Sequence, residues 1–164
     1  MVMRPHRLNS KEKKQLLARL AAQYGTSRTI LDGVTVLFQE KRGRYYIIND
    51  ALDAIELGDA RVDAIGLYVF AETPDGLRLS IEGSQLVGPH ATRHVLTITD
   101  EAFSAWMLGE DLPYALPDHA FYIIKHGDDF CGCGKALPAQ GIVKNYLAKA
   151  RRVAAIPDSV AQSD

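Results

Sequence analysis

The chain has 164 residues, of which 47% are hydrophobic and 24% are charged, with 19 Lys and Arg against 20 Asp and Glu. This is the composition of a globular protein, and it excludes a fibrous or disordered chain and one coated in a single sign of charge. The longest apolar stretch, residues 64–71, is far shorter than the roughly 20 residues that cross a bilayer. The N-terminus lacks the pattern of a secretory signal, so we expect a cytoplasmic protein with no membrane segment.

The first predicted element is a helix in which Leu16, Leu20 and Tyr24 recur at helical spacing. Asn9 and Glu12 fit a capping box at its start, and the glycine after Tyr24 suits its C-terminal end. Between two predicted hairpins, residues 50–63 are expected to form a short helix or an irregular connection. The strands of these hairpins are predicted at residues 34–39, 45–48, 65–72 and 77–81.

The second half of the chain is predicted to contain a strand at residues 95–98 and a helix capped by Thr99. Phe103 and Trp106 lie on one face of this helix, and Gly109 ends it. A further strand is predicted at residues 120–125. Glycines are then expected to interrupt a last region of short strands, at positions 127, 132, 134 and 141.

Many short strands with few helices predict an α+β fold with a small β-barrel at the C-terminus and an N-terminal α/β extension. Glycines and a proline within residues 82–92 suggest a boundary. We therefore expect an N-terminal part at 1–82, a barrel at 83–157 and a flexible tail at 158–164. A barrel of roughly 75 residues has a marginal core by itself, so the two parts are expected to pack together.

Charge is distributed unevenly along the sequence. Residues 1–14 carry a net charge of +4, residues 130–157 carry +5 with no acidic residue, and residues 49–118 carry −10. Such asymmetry can direct a polyanion onto one face of a protein, although solvated surface charges give the same pattern.

The most distinctive segment lies near the C-terminus. In it a strand ends at Gly127, a Gly-x-Gly-Lys run covers residues 132–135, and a Lys-Asn-x-x-x-Lys-x-x-Arg stretch covers residues 144–152. This pattern resembles the PUA-like RNA-binding domain of the Sun/Fmu family of RNA cytosine-5 methyltransferases, over about residues 65–153. No Pro-Cys nucleophile motif occurs, and the chain is too short to add a complete methyl-donor domain. It looks like a stand-alone, archaeal-type relative of the domain, of the kind linked to ribosome biogenesis.

The resemblance and the residue chemistry together predict an RNA-binding surface. Its basic side chains would neutralise phosphates, and its glycines would let a strand edge approach RNA closely. Tyr146 would either stack on a base or pack in the core. The predicted RNA-binding residues are Lys125, Gly127, Gly134, Lys135, Lys144, Asn145, Tyr146, Lys149, Arg151 and Arg152. Lys11, Lys13 and Lys14 of the first helix are expected to extend this surface.

No pattern in the sequence predicts catalysis or a cofactor. Nucleotide-binding glycine motifs are missing, and no nucleophile completes a triad with any histidine. Cys131 and Cys133 are separated by one residue, whereas structural zinc sites usually pair cysteines two to four residues apart. Free thiols are therefore expected, and a metal or redox site is the alternative.

We expect a non-enzymatic protein that binds structured rRNA, or else tRNA, in ribosome biogenesis or RNA modification. One alternative is an assembly adaptor that binds a ribosome assembly factor through the acidic middle region. Another is a subunit that recruits a separate RNA methyltransferase.

Overall fold

The computed structural model describes residues 5–50 and 66–153. Residues 51–63 of the predicted connection at 50–63, and the predicted flexible tail at 158–164, lie outside these residues. The helices are α1 (Ser10–Tyr24), α2 (Ile81–Val87) and α3 (Asp100–Met107). The strands are β1 (His6–Arg7), β2 (Val34–Gln39), β3 (Arg44–Asn49), β4 (Leu67–Thr73), β5 (Gly76–Leu79), β6 (Val95–Thr97), β7 (Phe121–His126), β8 (Asp129–Leu137) and β9 (Ile142–Asn145). The predicted α+β class is confirmed.

Strands β1 to β5 form an antiparallel sheet, sheet A, in sequence order. Both predicted hairpins are present as β2–β3 and β4–β5. Ile81 was expected to end a strand, but it is the first residue of α2. The chain turns helical there because the Ser80 side chain caps the helix, accepting a hydrogen bond from the Gly83 amide at 3.0 Å.

Strands β6 to β9 form a second sheet, sheet B, in which β6 runs parallel to β7 and the other pairs are antiparallel. Its order places β6 and β9 at the edges among the described residues, so closure into a barrel stays a prediction. The expectation that glycines break this region into short strands is wrong in part, because β8 is nine residues long. Gly132, at φ 88°, forms a bulge opposite β7 instead of ending the strand.

Helix α1 has the ends that the sequence predicts. Asn9 accepts a hydrogen bond from the Glu12 amide at 2.9 Å, and the Glu12 carboxylate accepts one from the Asn9 amide at 2.8 Å. Gly25 ends the helix in the left-handed conformation. The apolar face of α1 packs into a core shared by both sheets, which contains Leu20 and Phe70 together with Ile123 of sheet B. The expected packing of the two parts of the chain is therefore observed.

The opposite face of sheet B packs on α3. Trp106 is fully buried there, and its indole N–H donates to the Cys131 carbonyl at 2.8 Å. Leu112 extends the sheet through a bridge to Val143. Sheet B thus lies between the shared core and the core under α3.

The segment predicted as a domain boundary holds α2 and a 3-10 turn at Gly88–His90. Helix α2 packs on both β4 and β8 and so connects the two sheets. A Cβ atom at Gly83 would lie 2.0 Å from the Val69 carbonyl oxygen, so only glycine permits this close contact with β4. The division at residue 82 itself stays a prediction.

Within residues 5–50 and 66–153, none of the helices combines the length and the apolar character that a membrane-spanning segment requires.

Candidate nucleic-acid interface

A groove of about 560 Å³ lies between sheet A, the start of α2 and the chain that follows β9. Sheet A and the turn before β3 supply most of its polar wall, and the C-terminal segment supplies the other side. The basic and aromatic residues that define it are Arg42, Arg44, Arg78, Arg151, Tyr46, Tyr68 and Tyr146. We call this surface the arginine–tyrosine groove.

Two of the arginines in the groove lie over aromatic rings. The Arg44 guanidinium is 4.8 Å from the centre of the Tyr68 ring, and that of Arg78 is 5.0 Å from the centre of the Tyr146 ring. Tyr46 is paired across the sheet with Tyr68, and their ring centres are 5.8 Å apart. A guanidinium held over a ring keeps its in-plane N–H groups available to acceptors.

These donors have no acceptor in the described part of the chain. The side chains of Arg42, Arg44 and Arg78 form no ion pair or hydrogen bond with residues 5–50 or 66–153. By contrast, Arg19 donates to the Glu72 carboxylate at 2.5 Å and Arg93 to the Ala22 carbonyl at 3.1 Å. The groove therefore holds three guanidinium groups, those of Arg42, Arg44 and Arg78, that no described residue neutralises.

Glu82 is the one carboxylate among the described residues that line the groove. It pairs with Arg151, with 2.6 Å between the nitrogen and oxygen atoms. Among the described lining residues, four arginines against one carboxylate give a positive balance, which favours an anionic ligand.

Three of the sequence-predicted residues lie at or beside the groove. Tyr146 and Arg151 line it. Lys144 is exposed, and its Nζ lies 5.8 Å from the centre of the Tyr146 ring. Tyr146 also contacts Phe121 edge-on, with ring centres 5.8 Å apart, so its ring belongs to the core and to the groove wall at once.

Three others are engaged in internal contacts. The buried Asn145 side chain donates to the Trp106 and Glu110 carbonyls at 2.9 and 3.0 Å, and its oxygen accepts from the Leu147 amide at 2.8 Å. Arg152 donates to the Leu147 carbonyl at 3.0 Å. Lys135 forms an ion pair with Asp75 and is only 13% exposed.

The remaining four do not line the described groove. Lys125 lies 5.7 Å from the centre of the Phe130 ring, and Lys149 is exposed in the 3-10 turn Lys149–Arg151. Gly127 lies in the turn between β7 and β8. Gly134 is buried under β9, where a Cβ atom would lie 2.6 Å from Val143. The structure thus does not gather the ten predicted residues on one surface.

Sequence reasoning missed Arg42, Arg44, Arg78, Tyr46 and Tyr68. Arg44 and Tyr46 are two residues apart, the spacing that places side chains on one face of a strand. That spacing was the available signal. Tyr68 lies beside them because of the register in which β3 pairs with β4, and no sequence pattern predicts that register.

The two cysteines are free and buried, as expected. Cys131 packs in the core under α3 and Cys133 in the shared core, because the bulge at Gly132 breaks the alternation that would give residues 131 and 133 the same face. Burial raises the pKa of both thiols, that of Cys133 to about 12. In residues 5–50 and 66–153, no three His, Cys, Asp or Glu side chains cluster as metal ligands would.

Strands β6 to β9 and α3 make up the C-terminal part of the fold, and this part is similar to a PUA domain, a class of domain associated with RNA binding. The family whose model matches is described as the PUA domain of the methyltransferase RsmF, and the match covers residues 93–153. The resemblance predicted from the sequence is therefore confirmed for these residues. The match begins after α2, ten residues beyond the predicted start of the domain. No curated protein matches the chain.

Proposed function

We propose that this protein binds structured RNA through the arginine–tyrosine groove and acts by binding rather than by catalysis. The observation that carries the proposal is the set of arginines in the groove that have no acceptor among the described residues, placed beside aromatic rings. Arg residues are suited to phosphate because their forked N–H donors match its oxygens. Aromatic rings next to such donors are typical of RNA-binding surfaces, where bases stack on them.

Both predicted parts of the chain contribute to this surface. Arg42, Arg44 and Arg78 come from the N-terminal part, and Tyr146 and Arg151 come from the PUA part. We therefore propose that the N-terminal part is a component of the RNA-binding site, not a separate unit beside a self-sufficient small barrel.

The proposed target is rRNA during ribosome biogenesis or RNA modification, with tRNA as the second choice. The support for this is the match to a PUA domain described as part of a methyltransferase. Structured RNA presents closely spaced phosphates together with exposed bases at loops and bulges, and the groove offers donors and rings for both.

The test is fluorescence anisotropy of rRNA fragments across a salt series, with wild type and the R44Q/R78Q variant. The matched control is R28Q/R93Q, which removes the same charge from exposed positions outside the groove. Loss of two phosphate contacts should flatten the log–log salt slope by roughly 1.4 to 1.8 for R44Q/R78Q and leave the control close to wild type.

Two results would refute the proposal. Equal effects of the two variants would mean that binding is diffuse electrostatic attraction. Absence of binding by wild type at low salt would remove RNA as the ligand altogether.

A recruiting subunit for a separate RNA methyltransferase is the second candidate. The description of the matching family as a methyltransferase domain favours it. Addition of the purified RNA methyltransferase should then produce a ternary complex on RNA in gel-filtration, and R44Q/R78Q should lose RNA from that complex but keep the enzyme.

A further inference from the structure

The dimensions of the arginine–tyrosine groove limit what can enter it. Its volume of about 560 Å³ lies within the range of pockets that enclose small ligands, about 300–1,000 Å³. One or two nucleotides fit such a space. In a paired duplex the bases are stacked on one another, so their faces are not available to such a pocket.

The walls of the groove also favour the flat faces of bases. Tyr68 and Tyr146 are half-buried, and each has a guanidinium over its ring, from Arg44 and Arg78 respectively. Bases stack on aromatic rings and on guanidinium planes alike, but only when they are unpaired and extruded from a helix. In a continuous duplex these faces are covered by the neighbouring base pairs.

The guanidinium groups serve two purposes in this arrangement. Their planar faces extend the stacking surface of the rings, and their N–H edges stay available to phosphate oxygens. A nucleotide whose base enters the groove brings its own phosphate to the same place. Arg42, which is exposed at the rim, is the natural partner of that phosphate.

On this basis we infer that the groove receives an extruded, unpaired nucleotide, whose base stacks on the Arg44–Tyr68 or Arg78–Tyr146 pair. This inference rests on the proposed RNA-binding function and adds the structural class of RNA that is selected. RNA with a bulged base is bound more tightly than fully paired RNA of the same length.

The experiment compares three hairpin RNAs that differ at one position: fully paired, with a single bulged adenosine, and with an abasic residue at the bulge. The abasic RNA keeps the bend and the phosphates of the bulge but has no base. Wild type should bind the adenosine bulge about tenfold more tightly than either of the others, since stacking of one base has about that effect.

The variant R44K/R78K separates stacking from charge, because lysine keeps the charge and lacks the planar group. Its preference for the adenosine bulge should fall to threefold or less, while its salt slope should stay that of wild type. The control R93K changes an arginine outside the groove, which donates to a backbone carbonyl, and should keep the full preference.

The outcomes distinguish this inference from the function on which it rests. Equal binding of all three RNAs, or equal binding of the abasic and adenosine bulges, would overturn the inference and leave RNA binding intact. Failure to bind any of the three would overturn both. The comparison of the three RNAs with wild type decides the matter even if R44K/R78K does not fold.

Discussion

The groove and three polar residues of the C-terminal stretch, Lys135, Asn145 and Arg152, use their side chains differently. In the stretch from Lys135 to Arg152, the polar groups of Lys135, Asn145 and Arg152 are engaged by Asp75 or by backbone atoms of the fold. In the groove, Arg44 and Arg78 lie over rings and have no acceptor among the described residues.

This difference shows that positive charge in a sequence does not by itself mark a binding surface. What matters is whether the donors of a side chain are already satisfied in the folded protein. A satisfied donor stabilises the fold, and its loss costs stability. An unsatisfied but positioned donor adds little stability and is available to a ligand. The comparison therefore predicts opposite consequences of mutation in the two regions.

The largest effect is expected for Asn145→Ala. Removal of this buried side chain leaves the Leu147 amide and the Trp106 carbonyl without partners, which should lower the free energy of unfolding by about 3 kcal/mol. Urea unfolding followed by Trp106 fluorescence measures this loss. The exposed neighbouring change Lys144→Ala should stay within about 0.5 kcal/mol of wild type. If Asn145→Ala changed the free energy of unfolding as little as Lys144→Ala, the internal hydrogen bonds of Asn145 would not stabilise the fold as stated.

The next effect is expected for Arg78→Gln, on binding and not on stability. RNA affinity should fall about tenfold, the effect of losing one charged hydrogen-bond donor, while the free energy of unfolding changes by less than about 1 kcal/mol. Anisotropy titration and urea unfolding of the same preparation give both values. Arg93→Gln is the control, and a similar loss of affinity there would contradict the assignment of the groove.

A smaller effect is expected for Glu82→Gln. This change removes the carboxylate from the groove and frees Arg151 from its ion pair, so RNA affinity should rise about threefold, by the scale of one exposed ion pair. Isothermal titration with the same rRNA fragment measures the change. Weaker binding by this variant would mean that Glu82 contacts RNA favourably or positions Arg151 for it.

The smallest effect concerns Glu72, which engages Arg19 outside the groove. Partial burial raises the pKa of the Glu72 carboxyl, but hydrogen bonds from Tyr45 and Arg19 outweigh it and hold the pKa below its ordinary value of 4.5. The ionised Glu72 carboxylate therefore makes its full contribution to the free energy of unfolding above about pH 4.5, and this contribution is lost as the pH falls through the lowered pKa. Because the side chain is 38% exposed, that contribution is only about 0.5 kcal/mol.

Unfolding of wild type and Glu72→Gln between pH 6 and pH 3 tests this assignment. The two curves should differ at pH 6 and converge toward pH 3. A constant difference across that range would show that the carboxylate charge contributes nothing to stability.

The local parts of the fold were predictable because their signals are local. Asn9 with Glu12 specifies the start of α1, and the spacing of Leu16, Leu20 and Tyr24 specifies its buried face. Helix α2 is not predicted by the sequence, because Gly83 within it and Gly88 directly after it are typical of a boundary. Gly83 is required because α2 packs directly on the Val69 carbonyl of β4. This contact joins two different elements, so it could not be seen in the local sequence.

The site was predictable only in part, for the same reason. Tyr146 and Arg151 were identified because they lie in a recognisable motif near the C-terminus. Arg44 lies in β3 and Arg78 in β5, and both are far from that motif in the sequence. They come close to it only when sheet A and sheet B pack together and form the groove. Whether a basic side chain is already satisfied, as Arg152 is, depends on that packing and not on composition.

The most direct test of the central claim is photo-crosslinking of rRNA fragments that contain 4-thiouridine, with the crosslinked peptides identified by mass spectrometry. The account predicts crosslinks in the peptides that carry Tyr68, Arg78 and Tyr146, and their loss in R44Q/R78Q. Crosslinks confined to the peptide that carries Gly127, unchanged in that variant, would contradict it and place the RNA surface outside the groove.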